Sequence, residues 1–70
     1  MDSVKIGNRI KEIRLENKLS QLAFGKVLSV SQDTISLWET GKSTPTAESL
    51  IAIAKNFDVS VDFVLCIKDY

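Results

Sequence analysis

Seventy residues, 44% of them hydrophobic, with nine basic charges balancing nine acidic ones, allow one modest core and no strong overall electrostatic field. A chain of this size buries only about 60% of the surface that its unfolded form exposes, so a single domain over residues 1–70, of limited stability, is expected. Cys66 is the only cysteine and histidine is absent, which excludes an internal disulfide and a Cys/His metal centre; no apolar run or amino-terminal leader pattern points to a membrane or to export, so the expected setting is a reducing cytoplasm, with Cys66 a small core filler.

Ile6, Ile10 and Ile13 recur at i, i+4 and i+7, which predicts a first helix from about Val4 to Asn17 with Lys5, Arg9, Lys11, Glu12 and Glu16 around its other sides. Ser20 is a good N-cap for a second helix that carries Phe24 and Leu28 on one side, with Gly25 beside them where the missing Cβ admits a partner helix. Ser29 and Val30 form a turn, Val30 plugs the core from it, and Ser31 caps a third helix whose buried stripe is Ile35 and Trp38. Gly41 ends that helix and Pro45 blocks its continuation. Thr46 caps a fourth helix with Ala47, Leu50, Ile51, Ala54 and Phe57 inward, and Ser60 caps a short fifth through Val61, Val64 and Leu65. No strand alternation, repeat or low-complexity stretch interrupts this pattern, so the expected class is all-α, five short helices around one core.

The second and third helices, joined by a turn too short to be a linker, make residues 20–40 a helix-turn-helix by spacing. At about 100° per residue, with Ile35 and Trp38 inward, the opposite side of the third helix carries Asp33, Ser36, Leu37 and, past the last turn, Thr40, with Gln32 at its amino end. That inventory suits base edges: Gln32 can pair with adenine N6 and N7, Asp33 can accept from a cytosine amino group, Ser36 can bond several edges, and Leu37 can contact a thymine methyl. Phosphates fall to Gln21 and the free amides at the start of the second helix, and to Lys42, Ser43 and Thr44 after the third, with Lys5, Arg9 and Lys18 adding charge. The sequence pI of 6.1 argues the other way, because a basic footprint is usual for nucleic-acid binding. Residues 1–45 hold seven basic and five acidic groups and residues 46–70 two and four, so the halves are +2 and −2, a weak asymmetry. Asp33 is repelled by phosphates unless it finds a donor, and so favours specificity at the expense of affinity.

The segment SQLAFGKVLSVSQDTISLWETGKSTP, followed by ESLIAIAKNFDVSVDFVL, resembles the Cro/repressor-type helix-turn-helix family of phage and bacterial regulators, also called Xre-like, over nearly the whole chain. The resemblance implies a compact five-helix, lambda-repressor-like DNA-binding domain that acts as a homodimer on a two-fold symmetric operator, in transcriptional repression or activation, without a cofactor. It implies Gln21 as a phosphate clamp, Gln32, Asp33 and Leu37 as base readers, Thr40 and Lys42 as backbone contacts, and a structural ion pair between Arg14 and Glu39. Two positions depart from the family pattern: Ser29 stands where the turn often has glycine, and Leu37 where many members carry a polar or basic reader.

Catalysis has little to draw on without histidine or a visible carboxylate pair, and Gly41-Lys42-Ser43 fails as a phosphate-binding loop because the required earlier glycine falls at Ser36 inside a helix. An enzyme is not expected, nor is a metal or small-molecule ligand. The rival is a protein-interaction module that uses the helix-turn-helix fold with little or no DNA binding, favoured by the neutral charge, Asp33 and Leu37. Phe63, Ile67 and Tyr70 extend an apolar surface at the carboxy-terminal end, which is the expected dimer contact.

Overall fold

A computed structural model describes residues 2–70 and contains five helices: α1 (Ser3–Glu16), α2 (Gln21–Leu28), α3 (Gln32–Glu39), α4 (Ala47–Phe57) and α5 (Val61–Val64). Each begins at a short polar residue with extended backbone, Asp2, Ser20, Ser31, Thr46 and Ser60, whose side-chain oxygen accepts an N–H of the first turn. Such a cap satisfies one of the donors that a helix start otherwise leaves unpaired, and is worth about 1 kcal/mol. Four of these caps are readable from the serine and threonine positions. Asp2, which takes the N–H groups of Val4 and Lys5, begins α1 slightly earlier than its isoleucine spacing suggests.

The helix ends are closed less permissively. Gly41 takes a positive φ after α3, but Lys18, Ser29, Asp58 and Cys66 also lie in the left-handed region, at φ between 53° and 62°. Ser29 ends α2 at φ 60°, and the turn is locked by the Val30 N–H on the Gly25 carbonyl at 2.9 Å. An L-residue there costs roughly 1–2 kcal/mol relative to its ordinary conformations, which glycine avoids.

The core is built on α3, which packs on both α1 and α2, while α5 packs on α4 and α1. Ile6, Ile10 and Ile13 of α1, Phe24 and Leu28 of α2, Ile35 and Trp38 of α3, Leu50 and Ile53 of α4 and Val64 of α5 are buried together. The Phe24 and Phe57 rings stack at 4.9 Å between centroids, joining α2 to α4, and Val30 packs against the cluster from the turn.

Three expectations are corrected. On α4 the inward isoleucine is Ile53, fully buried, while Ile51 is 48% exposed and Ala47 is on the surface. Leu50 and Phe57 belong to both faces, and with Ile53 in place of Ile51 the buried stripe is turned by about 60° from the face chosen by sequence. Gly25 leaves room for the turn and not for a partner helix: a Cβ there would sit 2.6 Å from the Val30 carbonyl oxygen. Cys66 lies beyond α5 in a left-handed turn, only partly buried, with its thiol donating to the Lys5 carbonyl at 3.4 Å.

Gly7 is the close approach that spacing did not reveal, since a Cβ there would collide with the Trp38 carbonyl oxygen and lie 3.2 Å from Glu39 backbone atoms. Backbone cannot swing aside as a long side chain can. Gly7→Ala is therefore expected to destabilise by about 1–3 kcal/mol although alanine is the better helix former by about 1 kcal/mol, whereas Ser29→Gly should stabilise by up to about 1 kcal/mol. Urea midpoints at constant slope test both, and a gain for Gly7→Ala would contradict the packing described.

Candidate nucleic-acid interface

The motif formed by α2, the turn and α3 is held from behind by a charged cluster. Arg14 in the last turn of α1 donates from Nε to Glu39 Oε2 at 2.7 Å and from Nη2 to Glu39 Oε1 at 3.0 Å, while its Nη1 donates to the Leu19 carbonyl at 2.9 Å. The Arg14 side chain is 10% exposed and that of Glu39 4%. The hydrogen bond to Glu39 is the main cause of the raised Arg14 pKa, with burial acting against it. A base held above its ordinary pKa contributes stability that is complete below that value and lost only as pH rises through the raised one, so this guanidinium stays charged wherever the fold is assayed.

Gln21 closes the cluster from α2, donating from Nε2 to Glu39 Oε1 at 3.2 Å. This contact brings the start of α2 beside the end of α3 and beside the residues that follow it. The Ser20 cap uses the N–H groups of Ala23 and Phe24, leaving those of Gln21 and Leu22 at the helix start, where the macrodipole is positive. The expected phosphate groups thus gather at one end of the motif.

The expected phosphate contacts are not equally available. Both donors of Thr40 are engaged within α3: its N–H binds the Ser36 carbonyl at 3.0 Å and its hydroxyl the same carbonyl at 2.9 Å. The backbone amides of Lys42 and Ser43 both turn to the Leu37 carbonyl, at 3.0 and 3.2 Å, as the Gly41 turn demands. What remains there is the Lys42 ammonium and the Ser43 hydroxyl. Arg9, expected to add charge, is spent inside the chain, with its guanidinium 3.9 Å above the Phe63 ring and donating to the Phe63 carbonyl.

The other end of α3 carries different chemistry. Gln32 and Asp33 are exposed, Leu37 is 43% exposed, and Ser36 is half-buried. Ser31 caps α3 through the Thr34 N–H at 3.1 Å and shares a hydroxyl contact with Thr34 at 2.9 Å. Asp33 lies in the first turn of α3, where a carboxylate complements the helix dipole. With no lysine or arginine between Gln32 and Glu39, and Glu39 neutralised by Arg14, Asp33 is the one exposed charge of α3.

The expected dimer residues divide. Phe63 packs against the core and beneath Arg9, while Ile67 is 66% and Tyr70 78% exposed. Among the described residues no helix is long and apolar enough to cross a membrane, and no group of His, Cys, Asp and Glu is placed to hold a metal ion.

Comparison with known proteins finds the helix-turn-helix family model over residues 10–64. The chain is 37% identical over 65 residues to repressor protein C2 of Salmonella phage P22, covering 93% of this chain and 30% of that protein. It is 35% identical over 63 residues to the HTH-type transcriptional regulator DicA of Escherichia coli, covering 90% of this chain and 47% of that one. The chain therefore spans less than half the length of either relative. A crystal structure of the P22 C2 repressor with a synthetic operator superposes with a TM-score of 0.79 at 37% identity, covering 84% of this chain and 89% of that one.

Removing one partner of a buried pair leaves the other uncompensated. Arg14→Met is expected to lower unfolding free energy by about 3–5 kcal/mol, a large part of the stability of a small domain. Chemical denaturation would show it, and a loss below about 1 kcal/mol would mean that the pair behaves as an exposed one.

Proposed function

The chain belongs to the helix-turn-helix family, and we propose that it is a sequence-specific regulator of transcription, a repressor, that docks α3 in the major groove of double-stranded DNA. The observation that carries this reading is the division of α3. Ile35 and Trp38 are consumed by the core, while Gln32, Asp33 and Leu37 face outward with no structural task that needs their side chains beyond a dipole contact at Asp33. The name of the C2 repressor and its structure with an operator support the same reading. Residues 1–70 then act as the DNA-binding unit, with the motif proper at 20–40, and the cytoplasm is the compartment where it works.

In this mechanism Gln21, Lys42 and Ser43 fix position on phosphates, with Thr40 contributing only if its hydroxyl turns from the Ser36 carbonyl, and Gln32, Asp33, Ser36 and Leu37 meet base edges. A homodimer through Ile67 and Tyr70, with Phe63 supporting them from the core side, would present two such helices to half-sites roughly 34–36 Å apart. Occupancy of a promoter then excludes polymerase without any cofactor.

Selection of bound duplexes from a random pool tests the reading. Gln32→Ala should relax preference at one base position, a loss of roughly 1–3 kcal/mol in discrimination, while Lys42→Ala should weaken all sequences alike and reduce the log–log salt slope by about one. Neutral charge and an exposed Leu37 favour a second reading, a protein-interaction module; selection of no sequence at any salt, with partner binding that is insensitive to ionic strength, would decide for it.

Self-association has its own measurement. Ile67→Asp and Tyr70→Ala should leave the unfolding free energy of the monomer within about 0.5 kcal/mol of the parent's, as surface changes do, while shifting sedimentation towards the monomer. Unchanged association in both would remove this surface from the mechanism.

A further inference from the structure

The Gln21 amide is not an ordinary surface side chain. Its partner, Glu39 Oε1, belongs to an ionised carboxylate held on both oxygens by Arg14, and such a carboxylate only accepts hydrogen bonds. The amide must therefore turn Nε2, not Oε1, towards Glu39, and this determines the flip of a group that is otherwise free to present either face. One Nε2–H is used at 3.2 Å, and the second remains, on a residue only partly buried at the first position of α2, where backbone amides already favour an anion.

We propose that Glu39 is a positioning residue for phosphate binding: through Oε1 it orients the Gln21 amide so that the remaining Nε2–H points to the DNA backbone, making the Arg14–Glu39 pair part of the anchor as well as of the fold. This rests on the DNA-binding reading above. The physical gain is preorganisation. A free glutamine loses its rotamer freedom on meeting a phosphate, whereas here that loss has been met on folding, a difference of about three- to ten-fold in affinity. The geometry also couples the two ends of the motif, since Glu39 is the last residue of α3 and Gln21 the first of α2. A phosphate bound at Gln21 therefore constrains how α3 is seated in the groove.

Two measurements test this on the whole chain. In the free protein, ¹⁵N relaxation of side-chain amides should find Gln21 Nε2 as rigid as backbone, with an order parameter of about 0.8, and exposed Gln32 below about 0.6; equal mobility of the two overturns the proposal without any variant being made. The second is a cycle on the selected duplex. Gln21→Ala should weaken binding about three- to ten-fold in the parent but less than two-fold in Arg14→Met/Glu39→Leu, a pair replaced by apolar groups of similar size so that no buried charge is orphaned. A neutral methylphosphonate at the phosphate nearest Gln21 should weaken the parent more than either variant, in which only the backbone amides of the α2 start still meet that phosphate, while the same replacement at the Lys42 phosphate weakens all three alike. An equal effect of Gln21→Ala in both backgrounds overturns the positioning role while leaving DNA binding intact. Failure of the parent to bind any duplex overturns the DNA-binding reading, and the inference with it.

Discussion

The contact on which the rest of this structure depends is Arg14 to Glu39. Hydrophobic packing brings α1, α2 and α3 together, but the driving force is non-directional and roughly proportional to area, and side-chain packing restricts a helix crossing only to within about 15–20°. A bidentate guanidinium–carboxylate pair restricts it further, because both groups are planar and the donors are rigidly forked. Arg14 also holds the Leu19 carbonyl just before α2 begins, so one side chain ties the end of α1, the start of α2 and the end of α3. Burying two charges is favourable only when every remaining donor and acceptor is met. Among the described residues no buried side-chain nitrogen or oxygen lacks a partner.

Around that constraint the backbone is drawn unusually close. Gly7 lets α1 cross the last turn of α3 against its carbonyls, and Gly25 lets α2 fold back on the turn. Both approaches are made at the motif's own elements, one at the exit of α3 and one at its entry. The orientation of the outward face is thus set by backbone contact at both ends and by the ion pair between them, leaving α4 and α5 to cover the core from the other side.

Charge is distributed sparingly on this frame. Arg9 is taken by α5 and Arg14 by Glu39, so the arginines of α1 are structural and the exposed cations are lysines, which suit phosphates as point charges without a fixed geometry. The outward face of α3 holds none of them. A surface of this kind gains little from long-range electrostatic attraction.

Much of this was determined by sequence alone. Isoleucine spacing located α1 and its buried face, serine and threonine caps located the other helix starts, and Ile35 with Trp38 oriented α3, because local hydrogen bonding and a 3.6-residue period leave few alternatives. The family-implied partners Arg14 and Glu39 meet in space, and Gln32, Asp33 and Leu37 lie outward. Only the tertiary structure decided between Ile51 and Ile53, two residues apart and equally apolar, since that choice is made by what packs opposite. It alone revealed the crossing at Gly7, the turn at Gly25, the place of Cys66 outside the core, and the withdrawal of Arg9 and the Thr40 hydroxyl into internal bonds. Each of these turns on an atom from a distant part of the chain or on a hydrogen bond that periodicity does not encode, and the tie from Gln21 to Glu39, eighteen residues apart, exists only once α2 and α3 have been set at their angle.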